Sequence, residues 1–455
     1  MRTRILSLAV LLLTAAFILA FAEDTPVDFT RARHLVEKTQ RKETLTADEQ
    51  KYLDAAQRQV DQCSGISHEQ IDKLRKLHEK RQRGEAITAE EKNLLDDAHI
   101  RIAQVVKSGG TPTRNAEITP LGPALVHPDA VHGVALSADG KWAATGCTDH
   151  MLRNWEVATG KLHGQPLEHD GGVYPVAFSP DSTMVVAGSE KGAKLWEVAS
   201  GKLLATFPHP GFVYALAFRP DGLAVLTSSH DGAADGTARL WDVRTGKPMC
   251  EPIENRQRFY AVAFSPDSKL AAVSGNGTVA HLLDATTGKS LGLDLKHEGS
   301  VRSLSFSPDR KKLLTGSLDH TARVWDVATG QPLTPPLKHA DEVRAAVFNP
   351  LGTSVLTGSR DKTARVWDAA TGEPLTAPLV CPTGVRCVAF SRDGTLAAAG
   401  CYENTAHVWD AATGKAVGAP IQHGGLVRAI AFGADSHVLL TGSFDGTARL
   451  WRIER

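Results

Sequence analysis

Histidine, threonine, aspartate and tryptophan recur together at fixed spacing through the C-terminal three-quarters of this 455-residue sequence. One copy consists of His297, Thr315, Asp319 and Trp325. An imidazole, a carboxylate and a hydroxyl could transfer a proton or activate a nucleophile, as in a catalytic triad. A set that repeats in successive units is instead typical of a scaffold, in which buried polar groups satisfy one another's hydrogen bonds. We therefore predict a structural role for these residues.

The period of the repeat is marked by a tryptophan near the end of each unit. Successive positions are 41 to 45 residues apart, with one leucine among them: Trp155, Trp196, Trp241, Leu283, Trp325, Trp367, Trp409 and Trp451. Within one unit, strand-like runs at 301–307, 313–317 and 321–326, and a fourth near Leu333, are separated by turn residues. Because such a four-stranded unit cannot bury both of its faces alone, neighbouring units must stack and the ring must close.

These repeats resemble the WD-repeat (WD40) β-propeller family over residues 120–455. The resemblance implies an all-β fold of eight WD-type blades. It also implies that each blade is held by a tetrad: histidine before the first strand, serine or threonine in the second, aspartate in a tight turn and tryptophan in the third. The matching residues are His127, Thr145, Asp149 and Trp155; His209, Thr227 and Trp241; His297, Thr315, Asp319 and Trp325; His339, Thr357, Asp361 and Trp367; and His423, Thr441, Asp445 and Trp451.

Four of the eight units depart from the full tetrad. In the third unit, Asp231 and Asp235 compete for the turn position. The other three differ more: the second has His169, Ala187, Glu190 and Trp196, the fourth has Asn255, Val273 and Leu283, and the seventh has Cys381, Ala399, Glu403 and Trp409. We expect the blades of these three units to depend on apolar packing and backbone hydrogen bonds alone.

The eighth unit ends at Arg455, directly after its third strand. Upstream of the first unit, Pro120 to Val126 matches the outer strand that precedes His339. We expect this segment to supply the missing strand, so that the first and last blades share one sheet and no strand edge stays open.

In WD-repeat proteins, partners commonly bind the narrower top face of the ring, so the resemblance implies a partner-binding rim there. The fifth residue after each histidine position is His132, Tyr174, Tyr214, Tyr260, Arg302, Arg344, Arg386 and Arg428. Neighbouring candidates are Phe212, Arg258, Arg360, Tyr402 and Phe444. Tyrosine and arginine often anchor binding surfaces, and arginine favours carboxylate or phosphate groups. The alternative is that recently duplicated blades share these arginines without any binding role.

The N-terminal part has a different composition. Arg2, Arg4, the apolar run from Ile5 to Phe21 and the small residues Ala20 and Ala22 are typical of a secretory signal peptide at 1–22. The alternative is an uncleaved membrane anchor. Residues 23–107 are rich in helix-forming residues, and the segment 43–49 is echoed at 85–91, which predicts a small α-helical region with two related helical hairpins. Residues 108–119 are interpreted as a linker.

The remaining features favour binding over catalysis. The 51 basic and 51 acidic residues balance, which argues against nucleic acid as the main partner. No catalytic or cofactor motif is present, so neither a cofactor nor a metal is predicted. The close spacing of His230, Asp231 and Asp235 leaves a metal site open as the less favoured interpretation. Cys387 and Cys401 lie on adjacent predicted strands, where either a disulfide or free thiols are possible.

The prediction is therefore an exported member of the family, of bacterial type, that is secreted or periplasmic. It would act as a non-catalytic scaffold and bind a protein or peptide partner, with acidic groups on that partner as one option. The alternative is an exported propeller enzyme or small-ligand binder that uses the central channel.

Overall fold

A computed structural model describes residue 46 and residues 117–230, 236–255 and 258–454. Apart from Thr46, the predicted signal peptide, the predicted helical region and all but the last three residues of the predicted linker fall outside these ranges. Within them the chain forms strands and turns, with no helix. Among the described residues, no helix is long and apolar enough to span a membrane.

Eight antiparallel sheets follow one another along the chain. Two short strands come first, β1 (Glu117–Pro120) and β2 (Leu125–Val126). Blade 1 contains β3 (Val131–Leu136), β4 (Trp142–Cys147), β5 (Met151–Glu156) and β6 (Leu162–Glu168). Blade 2 contains β7 (Val176–Phe178), β8 (Met184–Ser189), β9 (Gly192–Glu197) and β10 (Leu203–Pro208). Blade 3 contains β11 (Phe212–Phe218), β12 (Ala224–His230), β13 (Gly236–Asp242) and β14 (Ile253–Asn255).

The next three blades repeat this order. Blade 4 contains β15 (Phe259–Phe264), β16 (Leu270–Gly275), β17 (Val279–Asp284) and β18 (Ser290–Lys296). Blade 5 contains β19 (Val301–Phe306), β20 (Lys312–Ser317), β21 (Thr321–Asp326) and β22 (Leu337–Lys338). Blade 6 contains β23 (Val343–Phe348), β24 (Ser354–Ser359), β25 (Thr363–Asp368) and β26 (Leu379–Val380).

The last two blades complete the series. Blade 7 contains β27 (Val385–Phe390), β28 (Leu396–Cys401), β29 (Thr405–Asp410) and β30 (Ile421–Gln422). Blade 8 contains β31 (Val427–Phe432), β32 (Val438–Ser443) and β33 (Thr447–Glu454), together with β1 and β2. The first strand of each blade contacts the first strand of the next, and β3 contacts β31. The ring is therefore closed, and the predicted eight-bladed all-β propeller is confirmed.

Blade 8 is completed by residues from the opposite end of the propeller sequence. Strand β1 pairs with the C-terminal half of β33, where Pro120 lies opposite Trp451, and β2 pairs with its N-terminal half, where Leu125 lies opposite Ala448. Between them the Leu121 amide donates to the Leu450 carbonyl at 2.8 Å. The pairing segment starts at Glu117, three residues before the segment that the sequence pattern picks out.

The core lies between the blades. All six residues of β24 are buried, because its two faces pack against neighbouring blades. The same stacking explains why second strands such as β24, β28 and β32 are buried along their whole length, with no alternation between buried and exposed residues. Trp367, for example, packs in one cluster with Leu314 and Val324 of blade 5.

Candidate functional site

Blades 5, 6 and 8 each contain a complete hydrogen-bonded tetrad. In blade 5 the Trp325 indole donates to Thr315 Oγ1 at 2.8 Å, and the same hydroxyl lies 2.6 Å from His297 Nε2. His297 Nδ1 lies 2.7 Å from Asp319 Oδ2, which also accepts from the Glu298 amide. Burial raises the pKa of Asp319, but the hydrogen bonds from His297 and Thr321 outweigh burial and hold it well below its usual range.

In blades 1 and 3, Nδ1 of the tetrad histidine contacts a group other than an aspartate carboxylate. In blade 1, Asp149 accepts two hydrogen bonds from the Arg153 guanidinium, and His127 Nδ1 faces the Leu125 carbonyl at 2.9 Å. In blade 3, His209 Nδ1 contacts Ser229 Oγ at 2.7 Å. Asp231 and Asp235, the candidates for that turn, lie outside the described residues.

Blades 2 and 4 show what replaces a missing hydroxyl. Ala187 leaves no acceptor for the indole of Trp196, which donates directly to His169 Nε2 at 3.2 Å. In blade 4, Val273 and Leu283 are buried in an apolar cluster at the equivalent places. The side chains at the tetrad positions therefore stabilise each of these blades, even where they differ from the family pattern.

Burial keeps the tetrad imidazoles of blades 1, 2 and 3 neutral. Desolvation lowers the pKa of His127 to about 4 and the pKa values of His169 and His209 to about 3. Desolvation also lowers the pKa of His339, but there the Asp361 carboxylate acts in the opposite direction. The contrast follows from the carboxylate, which stabilises the protonated ring.

The rim is produced by a β-bulge that recurs near the start of the innermost strands. The register of each affected strand shifts between its first and third residues, for example between Val301 and Ser303. The second residue is therefore the bulged one, and bulges commonly redirect a side chain at the edge of a sheet. This applies to His132, Tyr260, Arg302, Arg344, Arg386 and Arg428, and to Tyr214, the third residue of β11. Tyr174 precedes β7, where Pro175 interrupts the ladder.

Six predicted rim side chains form one continuous row, which we call the aromatic arc. Its members are Phe444, His132, Tyr174, Phe212, Tyr214 and Tyr260. Neighbouring ring centroids are 4.1 to 5.0 Å apart. Burial raises the pKa of Tyr174 to about 12, with the nearby Glu190 carboxylate adding to the effect. The arc therefore presents ring faces and neutral hydroxyl groups across five blades.

Four arginines continue the ring, and we call Arg302, Arg344, Arg386 and Arg428 the cationic arc. The Arg344 guanidinium binds Glu342 Oε2 at 2.5 Å, and Arg360 reaches the same carboxylate at 3.5 Å while lying over the Tyr402 ring. Desolvation and, after it, the charge of Arg386 lower the pKa of Arg428 to about 10. Desolvation and the charge of Arg428 act in the same way on His132, whose pKa falls to about 4. The two arcs thus meet at Arg428 and His132, and again where the Arg302 guanidinium lies over the Tyr260 ring.

Comparison with known proteins places this architecture in a family. Residues 258–455 match the model described as the IFT122 first beta-propeller. Residues 123–156, 160–197 and 201–242 match the model described as WD domain, G-beta repeat. The chain is a WD40-repeat protein.

Curated relatives resemble short stretches of this WD40 propeller. WD repeat-containing protein 1 of Mus musculus is 35% identical over 86 residues, which are 18% of this chain and 14% of the mouse protein. The Periodic tryptophan protein 2 homolog of Dictyostelium discoideum is 27% identical over 149 residues, 31% of this chain and 16% of that protein. The matches therefore span less than a fifth of these relatives' own length.

A solved structure resembles most of the chain. The crystal structure of the computationally designed Ika8 protein superposes with a TM-score of 0.65 and 26% identity, covering 73% of this chain and 99% of that chain.

Three rim residues of the WD40 propeller were missed as rim residues by sequence reasoning. Glu342 neutralises part of the cationic arc, and Glu190 accepts from the Tyr174 hydroxyl at 3.2 Å. His230 stacks on Tyr214, with Nε2 3.0 Å from its hydroxyl. Glu342 lies two residues before Arg344, Glu190 directly follows the second strand of blade 2, and His230 ends the second strand of blade 3. An alignment of the repeats could have pointed to these positions.

A metal site at His230 was the less favoured interpretation. Its partners Asp231 and Asp235 fall outside the described residues. Within the described part of the chain, no group of three or more metal-binding side chains comes together. The His230 ring stacks on Tyr214, which belongs to the aromatic arc.

Proposed function

We propose that this WD40 propeller is a non-catalytic interaction scaffold that binds a protein or peptide partner with acidic groups on its top-face rim. WD40 propellers generally bind protein partners, and the rim supplies the chemistry for one. The observation that carries the proposal is the pair Arg386 and Arg428. Both guanidinium groups are desolvated, and the charge of Arg386 also lowers the pKa of Arg428.

This pair differs from Arg344 of the cationic arc. Arg344 has a carboxylate partner in Glu342, whereas neither Arg386 nor Arg428 forms an ion pair within the described residues. Two desolvated like charges are costly, and a bound carboxylate or phosphate would offset both. A partner that brings an anionic group to this pair therefore gains more than one that binds Arg344.

The aromatic arc gives the partner its second contact. Ring faces at 4.1 to 5.0 Å spacing offer apolar area that loses little side-chain entropy on binding. An acidic peptide with aromatic or apolar residues can place its carboxylate at Arg386 and Arg428 and its apolar residues towards Tyr174 and Phe212. Export through residues 1–22 and positioning of the ring by residues 23–107 complete the proposal, and N-terminal sequencing of the mature protein tests the export.

The binding proposal is tested with a fluorescent peptide of alternating glutamate and tyrosine. We expect saturable binding that weakens at least about tenfold in a variant with both Arg386→Ala and Arg428→Ala, and that weakens with added salt. Arg244→Ala is the matched control, because Arg244 is exposed in the turn after β13.

Two results would overturn the proposal. One is equal affinity of the wild type and the double variant for the peptide. The other is equal binding of a glutamine–tyrosine peptide, since the acidic groups would then contribute nothing.

A further inference from the structure

Blade 7 has two cysteines where other blades have polar tetrad residues. Cys381 directly follows β26 and stands at the position of His339 and His423. Cys401 ends β28, at the position where Ser359 ends β24 and Ser443 ends β32. Both cysteines are buried in the apolar cluster between blades 6 and 7.

The repeat geometry brings these two positions into contact. In blade 3 they are occupied by His209 and Ser229, whose Nδ1 and Oγ atoms are 2.7 Å apart. In blade 7 the side chains of Cys381 and Cys401 lie in one buried cluster, close enough for each to change the pKa of the other. Cys381 and Cys401 therefore lie close together, although a cysteine side chain is shorter than that of histidine.

The pair considered from sequence, Cys387 and Cys401, is not brought together in this way. Cys387 lies opposite Gly400, while Cys401 lies opposite Val385. The Cys387 sulfur is 2.7 Å from the place where a Cβ on Gly400 would stand, and it faces the Val427 carbonyl at 3.9 Å. Adjacent residues of a strand point to opposite faces, so Cys387 and Cys401 lie on different sides of the sheet. In the structure all described cysteines are free thiols.

We propose that Cys381 and Cys401 form a disulfide bond when the propeller folds in the presence of a disulfide oxidant, and that this bond fastens blade 7 in place of a tetrad. The bond would join the end of the outer strand of blade 6 to the second strand of blade 7. It is independent of the rim and of any partner bound there.

The chemistry is thiol–disulfide exchange with a small disulfide such as oxidised glutathione. The thiolate of one of the two cysteines attacks one sulfur of the oxidant, forms a mixed disulfide and releases one thiolate. The other cysteine loses its proton to solvent, attacks the protein sulfur of that mixed disulfide and releases the second thiolate. Two protons pass from the cysteines to the two released thiolates, and two electrons pass from the protein to the oxidant.

Both sulfurs are buried in the folded ring, so the exchange belongs to the folding chain. In the folding chain either thiolate can attack first. Once the ring has formed, the contact between the two side chains lowers the pKa of Cys401 and raises the pKa of Cys381.

The test uses the full chain, refolded in a mixture of oxidised and reduced glutathione, quenched with acid and alkylated under denaturing conditions. Trypsin separates the three cysteines onto peptides 366–386, 387–392 and 393–415. We expect mass spectrometry to find 366–386 linked to 393–415, and peptide 387–392 alkylated. Cys387→Ala is the matched control and should leave the link intact.

Stability gives a second, separate measurement. We expect a reductant to lower the thermal midpoint of the refolded wild type and of Cys387→Ala, but not that of Cys401→Ser. Serine is tolerated at this place in other blades, so the variant should fold. Full alkylation of Cys381 and Cys401 after refolding, or a link through peptide 387–392, would overturn the proposal.

Discussion

The Arg302 guanidinium lies over the Tyr260 ring, with its Cζ 3.8 Å from the ring centroid. This contact joins the last residue of the aromatic arc to the first of the cationic arc, across the boundary between blades 4 and 5. Arg302 also donates to Asn276 Oδ1 at 3.3 Å. The side chain is therefore held in place before any partner arrives, which reduces the entropy lost on binding.

The first prediction concerns this contact. Tyr260→Ala removes the ring that holds Arg302, and a cation–π contact contributes about 0.5–2 kcal/mol. We expect the affinity for the glutamate–tyrosine peptide to fall between about two- and thirtyfold in fluorescence titrations. Tyr260→Phe keeps the ring face and should stay within about twofold of wild type. An equal loss of peptide affinity in both variants would show that binding depends on the Tyr260 hydroxyl and not on its ring face.

The second prediction concerns closure of the ring. Leu125 is 0% exposed and packs among residues of blades 1 and 8, whereas the adjacent Val126 is 67% exposed. Leu125→Ala should lower the free energy of unfolding by about 2–5 kcal/mol, because it leaves a cavity at the join. Val126→Ala should change it by less than about 0.5 kcal/mol. Urea unfolding measures both, and similar values would mean that the β2 pairing does not hold the ring closed.

The third prediction concerns acid. The pKa values of His127, His169 and His209 lie at about 3 to 4 in the folded chain, against about 6.5 in the unfolded chain. Between these values the unfolded state binds more protons, so the free energy of unfolding should fall as pH drops from 6.5 towards 4. The slope is up to about 1.4 kcal/mol per pH unit for each histidine.

The acid prediction has an internal control and a second stage. His169→Gln keeps an acceptor for Trp196 and removes one titrating ring, so its slope in urea unfolding between pH 6.5 and 4.5 should be shallower. An unchanged slope would rule out His169 as a contributor. The pKa values of Asp319, Asp361 and Asp445 are lowered, so their contribution is present above pH about 4 and is lost only below it.

The fourth prediction concerns the approach of blade 2 to blade 1. A Cβ at Gly133 would lie 1.9 Å from the Tyr174 carbonyl oxygen, so Gly133→Ala forces the two backbones apart. We expect a loss of about 1–3 kcal/mol in urea unfolding and weaker peptide binding, because Tyr174 moves with its carbonyl. Gly316→Ala is the control, since its nearest contact, Ala346 Cβ, is 3.2 Å away. If Gly133→Ala had the same free energy of unfolding as the wild type, blade 2 would be able to move away from blade 1 without a loss of stability.

Much of the fold could be predicted from the sequence alone. The recurring tryptophan, the turn residues and the histidine–threonine spacing are local and periodic, so they indicate four strands per blade and eight blades. The tetrad of blade 5 follows directly, because His297, Thr315 and Trp325 belong to one unit. Blade 1 was less predictable: its sequence matches the pattern, yet Arg153 takes the Asp149 carboxylate. Two groups compete for that carboxylate, and only their final positions decide between them.

The sequence by itself therefore determined the blade, its repetition and the residue types on the rim. Only the tertiary structure decided which of those residues touch. Arg386 and Arg428 are 42 residues apart, as are Arg302 and Tyr260, and each pair comes from two different blades. Their distances depend on the rotation between blades and on a bulge that redirects one side chain per strand. No local pattern encodes these relations, because they arise only when the ring closes.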